Sequence, residues 1–264
     1  MKNPPNIETV SHAKHAKLRL KPNADWGHAK GTHLAGITLS ELSATAGNFP
    51  IVFIRTPDNK NYHPVAMLGL RPGENHYYNA DGWDSTYVPL MIQRHPFLIG
   101  FDDSKPEDSR ELTACVNRNS PFLSENADEG IALFKEDGGE TDLLLTVHRL
   151  LKDIFDSERL TEQFTTKLME LDLFSPFELI LQPQNAEPRK VTGMYTINEN
   201  KMRALTPEQV QELHKLDFLP PAYIMMGSLY QLNTLLKLRN KKSEEKIVDF
   251  RIELDPKPAP AAAQ

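Results

Sequence analysis

The spacing of apolar positions changes character along the chain. Residues 49–54 are an apolar, β-branched run, which predicts a buried strand. Pro57, Asp58 and Asn59 mark a turn, and residues 65–70 return as a second strand, so the pair reads as a hairpin. Arg71, Pro72, Gly73, Glu74 and Asn75 form another turn. Tyr77 and Tyr78 open a third strand, which Asp81 and Gly82 close. Residues 87–92 are a further apolar stretch, residues 97–101 a short strand, and Val116 sits in one more. Upstream, residues 17–20 alternate as a strand and residues 26–36 read as a loop. Residues 39–46 suit a short helix capped by Thr38 or Ser40 and ended by Gly47.

The second half is dominated by the helical period. Thr141 or Asp142 opens an amphipathic helix with Leu143, Leu144, Val147, Leu150, Leu151, Ile154 and Phe155 on one face. Ser157 is read as the cap of a second helix, with Leu160, Phe164, Leu168 and Leu171 inward and Pro176 as its end. Residues 177–181 and 191–197 read as strands. Thr206, Pro207 and Gln209 form a helix start: hydroxyl cap, proline at the first turn, glutamine at the third position. Pro220 and Pro221 break that helix and begin the next, over residues 222–239, and residues 244–254 suit either a terminal strand or a fraying extension. Strands rich in the first half and helices in the second predict an α+β fold, not a regular βαβ alternation. The expected organisation is a flexible segment over 1–16, one intertwined domain with two lobes over 17–255, and a disordered Pro/Ala tail over 256–264.

Composition narrows the function classes. The formal charge of −6 gives no basic footprint for nucleic acid. One cysteine, Cys115, rules out an internal disulfide and reads as a small buried thiol. No segment has the apolar length of a secretory signal core or of a membrane span, ~18 residues. The expected compartment is therefore the cytoplasm, without direct membrane insertion; surface association by another route stays open.

Candidate chemistry gathers in residues 48–101, where Trp83, four tyrosines and three histidines sit in or beside turns. Loops held by strands are where binding groups usually sit. Arg94 is a clamp for a carboxylate or phosphate, and His95 an acid or base near neutral pH. Equally, Arg94 can pair with Asp84, Asp102 or Asp103 while His95 satisfies a backbone carbonyl. Trp83, Tyr77, Tyr78 and Tyr87 suit an aromatic platform or a core rim. His63, His76 and His95 with Glu74 lack any metal-ligand spacing, so no metal is expected and no cofactor is implied. The dinucleotide and P-loop glycine motifs and the nucleophile elbow do not occur.

Three regions resemble the SapC family of bacterial proteins, named for a surface-layer-associated protein. They are Phe49 to Phe53 with Pro64 to Leu70, Glu74 and Asn75; Gly82-Trp83, Tyr87-Val88-Pro89 and Arg94 to Phe97; and Gly193 to Glu199 with the helix after Ser228. The chain departs from the family pattern near Leu216-Asp217-Phe218-Leu219, where a glycine is more usual, so that helix junction is expected to be altered. The resemblance implies a link to surface-layer or envelope biology and brings no catalytic motif. The sequence reading is a non-catalytic binding or accessory protein that recognises a protein or peptide through Trp83, Tyr87, Arg94, His95, Glu74 and Asn75. The alternative is an enzyme with a cleft around Arg94, His95 and Glu74.

Overall fold

The computed structural model describes residues 6–22, 26–101 and 112–255. The strands are β1 (Ile7–Thr9), β2 (Arg19–Leu20), β3 (Leu34–Gly36), β4 (Ile51–Arg55), β5 (Tyr62–Met67), β6 (Tyr78–Asn79), β7 (Gly82–Trp83), β8 (Phe97–Phe101), β9 (Leu112–Asn117), β10 (Leu123–Ser124), β11 (Ile131–Ala132), β12 (Phe174–Pro183), β13 (Arg189–Ile197) and β14 (Ile247–Leu254). The helices are α1 (His12–His15), α2 (Leu42–Ala46), α3 (Leu90–Gln93), α4 (Asp142–Glu170), α5 (Glu199–Arg203), α6 (Pro207–Lys215), α7 (Leu219–Ser228) and α8 (Leu232–Lys242). All the paired strands are antiparallel, and the fold is α+β, as the sequence pattern predicts.

The chain divides into two compact units, each built from two stretches. The first comprises Met1–Trp26 and Leu90–Glu158. Its sheet runs β1-β9-β8, and a second small sheet runs β10-β2-β11. Leu18, Phe97, Val116, Leu133 and Phe134 form its core with Leu144, Val147 and Leu151 from α4. The leading segment expected to be loose carries β1 in its described part. Ile7, Glu8 and Thr9 pair with Asn117, Val116 and Cys115, because β9 offers an edge more than a hundred residues away, which no local window can register. Cys115 is buried there, as a small apolar residue would be.

The second unit, Gly27–Pro89 with Arg159–Gln264, holds a six-stranded sheet of order β14-β12-β13-β4-β5-β3. The β4–β5 hairpin forms in the expected place, around residues 56–61. β13 joins β4 through one register pair, Tyr195 opposite Phe53. Aromatic packing reinforces that join. Phe174 stacks on Tyr62 at 4.0 Å between ring centroids and meets Phe53 edge-on at 4.8 Å. The Arg55 guanidinium lies over both Tyr62 and Tyr195, at 4.8 and 5.4 Å.

Four local expectations change. Residues 26–36 contain β3, since Leu34, Ala35 and Gly36 find partners along β5; the glycines disguise a strand fixed by long-range pairing. α4 is one helix through Ser157, and Pro176 lies within β12 instead of ending a helix. The buried stripe continues past Ile154 through Ser157, Thr161, Phe164 and Leu168, so a hydroxyl that resembles a cap lies on the buried face of the helix instead. The last long helix is divided into α7 and α8 by a 3-10 turn at Leu229–Gln231. Ser228, at the end of α7, accepts the Ile51 N–H at 2.9 Å and donates to the Met225 carbonyl at 2.6 Å. The short helix α5 was not foreseen; Asn198 caps it by accepting from the N–H groups of Asn200 and Lys201.

The junction after α6 falls in the stretch 216–219, where the family pattern favours a glycine. Asp217 takes φ 56°, in the left-handed region. Phe218 N–H bonds the Leu213 carbonyl at 2.9 Å and Asp217 N–H the His214 carbonyl at 3.1 Å. This is the paired helix-ending motif that glycine usually serves, and aspartate tolerates the conformation better than most residues. Asp217→Gly is expected to stabilise the protein by about 0.5–1 kcal/mol in urea unfolding, by removing the left-handed strain. Phe174→Ala is expected to destabilise it by about 3–5 kcal/mol in the same measurement, through the cavity left between Phe53 and Tyr62.

Candidate functional site

Four of the six sequence candidates belong to the second unit. Trp83 ends the β6–β7 hairpin and donates its indole N–H to the Tyr87 carbonyl at 2.8 Å. Tyr87 donates its hydroxyl to Glu41 Oε2 at 3.0 Å. Glu41 is 4 % exposed and its other oxygen accepts the Thr38 N–H, in a capping box that starts the 3-10 turn before α2. Burial, then the Glu41 charge, pushes the Tyr87 hydroxyl far above the usual phenol range. Ser85 and Thr86 both donate to Asn48 Oδ1 at 2.8 Å, and Phe49 meets the Trp83 ring edge-on at 6.2 Å. The loop is thus pinned to the segment that leads into β4.

Asn75 is buried and bonds backbone on both sides. Its Nδ2 donates to the Ala29 carbonyl at 2.9 Å, and its Oδ1 accepts the Tyr77 N–H at 2.9 Å. Gly69 makes room for this turn: a Cβ there would stand 2.5 Å from the Glu74 carbonyl oxygen. Glu74 Oε2 lies 3.3 Å from His76 Nε2. Lys242, from the end of α8, donates to the carbonyls of His76 and Tyr78 at 2.7 and 2.6 Å.

Arg94 and His95 belong to the first unit, just after α3. His95 Nε2 and Ser120 Oγ are 3.0 Å apart, and the His95 ring meets Phe122 edge-on at 5.5 Å. Arg94 Nε is buried with no hydrogen-bond partner among the described residues. Burial pushes the Arg94 guanidinium down, and Glu158 pulls it back. The same burial pushes the Glu158 carboxyl up while Arg94 lowers it. The opposing charge is therefore Glu158, on α4, and not Asp84; Asp102 and Asp103 lie outside the described residues. A sequence window could not find this pair, because it depends on a helix far along the chain. Glu74, the third member of the enzyme reading, sits in the second unit.

Sequence reasoning missed a different concave surface in the second unit. β14 forms one end of the six-stranded sheet, and its only strand partner among the described residues is β12. Asn233, Leu236, Lys237, Asn240 and Lys241 line one wall of a trough beside it, at the i, i+3/i+4 and i+7/i+8 spacing of one helix face. Lys246, Ile247, Val248, Asp249 and Phe250 form the other wall, and the cavity measures about 640 Å³. Asn240 holds the start of the strand: its Nδ2 donates to the Ile247 carbonyl at 2.8 Å and its Oδ1 accepts the Ile247 N–H at 2.9 Å. Asp249 Oδ1 accepts the Phe250 N–H at 2.8 Å. Val248, Ile252 and Leu254 are exposed by 59, 36 and 41 %. Their alternation with Asp249, Arg251 and Glu253 is a period-two signal that the sequence displays, but only the sheet order reveals it as an edge.

Fold and surfaces together define an α+β protein with an open antiparallel sheet edge flanked by a helix. A protein-family model described as SapC matches residues 10–235, and the chain belongs to that family. No curated protein and no solved structure matches it. No helix among the described residues is long and apolar enough to cross a membrane, and no three metal-ligating side chains converge among them.

Burial also lowers the pKa of His63, and of His76 despite the pull of Glu74, below the ordinary histidine value of 6.5. Below that value the unfolded chain takes up protons that the folded protein resists, so stability falls as pH drops through 6.5 toward the lowered folded values. Urea midpoints at descending pH should decline over that window, and His63→Gln should flatten the decline. Parallel declines in both proteins would remove His63 from this account.

Proposed function

We propose that this SapC-family protein is a non-catalytic binding or accessory protein of surface-layer or envelope biology, and that it recognises an extended, acidic segment of a protein partner. The observation that carries the reading is the trough between α8 and the outer edge of β14. A strand edge beside a helix is the arrangement in which an extended peptide adds a strand: backbone hydrogen bonds supply affinity and alternate side chains supply selectivity. β14 offers eight residues, and the exposed Val248, Ile252 and Leu254 supply apolar contacts along it.

Charge selects the partner. Lys237 and Lys241 are exposed on the trough wall and make no ion pair with a described residue. Lys246 is engaged with the carbonyls of Asn240 and Ser243, at 2.6 and 2.8 Å, where it closes the end of α8. Asp249 is the acid among the lining residues. The balance favours acidic residues on the incoming strand, even though the whole chain carries −6. The face of Trp83, Tyr87, Glu74 and Asn75, and the pair Arg94 and His95, remain proposed contacts for the same class of partner.

Fluorescence anisotropy with two labelled decapeptides, one alternating Glu and Val and the other Lys and Val, tests the reading. The acidic peptide should bind with an affinity that weakens as salt rises. Ile252→Pro, which removes an edge N–H, should abolish binding, and the Lys237→Glu, Lys241→Glu double variant should weaken it about tenfold or more. Equal binding of both peptides, or binding indifferent to Ile252→Pro, would sink the assignment.

A further inference from the structure

A second concavity in the same unit, about 280 Å³, has an unusual wall: arginines from three separate elements border it. Arg71 comes from the turn after β5, Arg189 from β13 and Arg239 from α8, with Lys190 beside them. The floor is apolar, made by Leu181 of β12, Val191 of β13 and Ile247 of β14. Leu181 and Ile247 are 5 and 7 % exposed, so the floor is part of the packed sheet and does not need a ligand to hold its shape.

One carboxylate already occupies the arginine wall. Glu245, in the turn between α8 and β14, takes Arg189 in a two-pronged pair, with Nη1 at 2.9 Å and Nη2 at 2.6 Å. The same group accepts from Arg239 Nη2 at 3.1 Å, and Arg239 Nη1 reaches the Glu245 carbonyl. Two guanidinium groups therefore share one side-chain acid. The Arg71 side chain has no hydrogen bond or ion pair to a described residue, Lys190 is matched by Glu178 at 2.7 Å, and Glu74, which also borders the pocket, stands 3.3 Å from His76; four cations, Arg71, Arg189, Arg239 and Lys190, thus meet three carboxylates, Glu74, Glu178 and Glu245. The neighbourhood holds positive charge beyond what its own carboxylates neutralise. Glu245 is on a short surface connection, so it can be exchanged without dismantling the sheet. Planar, forked donors of this kind fit carboxylates in geometry as well as charge.

We infer that this pocket binds a small organic carboxylate, with its acid group on Arg189 and Arg239 in the place Glu245 now takes, Arg71 supplying a further positive charge, and a short hydrocarbon body on the Leu181, Val191 and Ile247 floor. The pocket shares Ile247 with the α8–β14 trough but is otherwise lined by different residues, and the inference stands whether or not a peptide binds there. A cavity of this size suits a ligand of a few carbon atoms, at the small end of the usual range.

Isothermal titration calorimetry with succinate, at fixed ionic strength, tests it on the full chain. The wild type should bind saturably. Glu245→Gln should bind about tenfold more tightly, because the internal competitor loses its charge. Arg71→Gln, an exposed change with no described partner to disturb, should bind about threefold to tenfold more weakly. The uncharged diamide of the same length should give no heat of binding. Absence of saturable binding in both wild type and Glu245→Gln overturns the proposal. So does an affinity unchanged by Glu245→Gln and Arg71→Gln, or sulfate binding as tightly as succinate, since sulfate makes no use of the apolar floor.

Discussion

The larger sheet depends on a narrow join. β3, β4 and β5 come from the first third of the chain, and β12, β13 and β14 from the last; one register pair, Tyr195 opposite Phe53, connects the two sets. A single backbone pairing is weak, and loop closure over so long a separation opposes it. Side chains make the difference. Phe53, Tyr62, Phe174 and Tyr195 pack ring to ring across the join, with Arg55 laid over two of them. The cluster buries apolar area and adds aromatic and cation–π attraction at the place where the hydrogen-bond ladder is thinnest.

That join sets which strand is left outermost. With β13 turned toward β4, β12 must accept β14 on its other side, and β14 then faces outward. The apolar rows of β12 are covered: Phe177, Leu179 and Leu181 are buried. Their register partners on β14, Leu254, Ile252 and Phe250, continue the same face but lie in the more open strand. Asn240 and Asp249 satisfy individual edge groups, while α8 provides the other wall of the trough. The same connection between α8 and β14 brings Glu245 to Arg189 and Arg239, so both proposed surfaces originate in how one terminal strand is added to the sheet.

The residues first picked as a site illustrate how aromatic and polar side chains in turns acquire structural duties. Tyr87 holds the buried Glu41, Trp83 fixes the Tyr87 backbone, and Asn75 ties its own turn to Ala29. A buried polar group without such a partner costs about 1–3 kcal/mol, so a turn packed against a core recruits them. Their density in residues 48–101 therefore has a physical cause in packing, beside any role in recognition.

Capping chemistry and periodicity specify the elements whose signals are local. The Thr206-Pro207-Gln209 helix start, the Thr38 cap, the β4–β5 hairpin and the amphipathic stripe of α4 follow from capping chemistry and periodicity, and the family is legible in motifs of short span. Which distant pieces meet is a matter of packing across the whole chain. β1 on β9, β3 on β5, Glu158 near Arg94, and Glu245 between two arginines all depend on contacts between residues far apart in sequence. The left-handed Asp217 belongs between these cases: its position at a helix end is visible, but its conformation is set by the two hydrogen bonds that close the helix. Hydrophobic periodicity specifies what a segment is, whereas its partner is selected by the packing of the whole sheet.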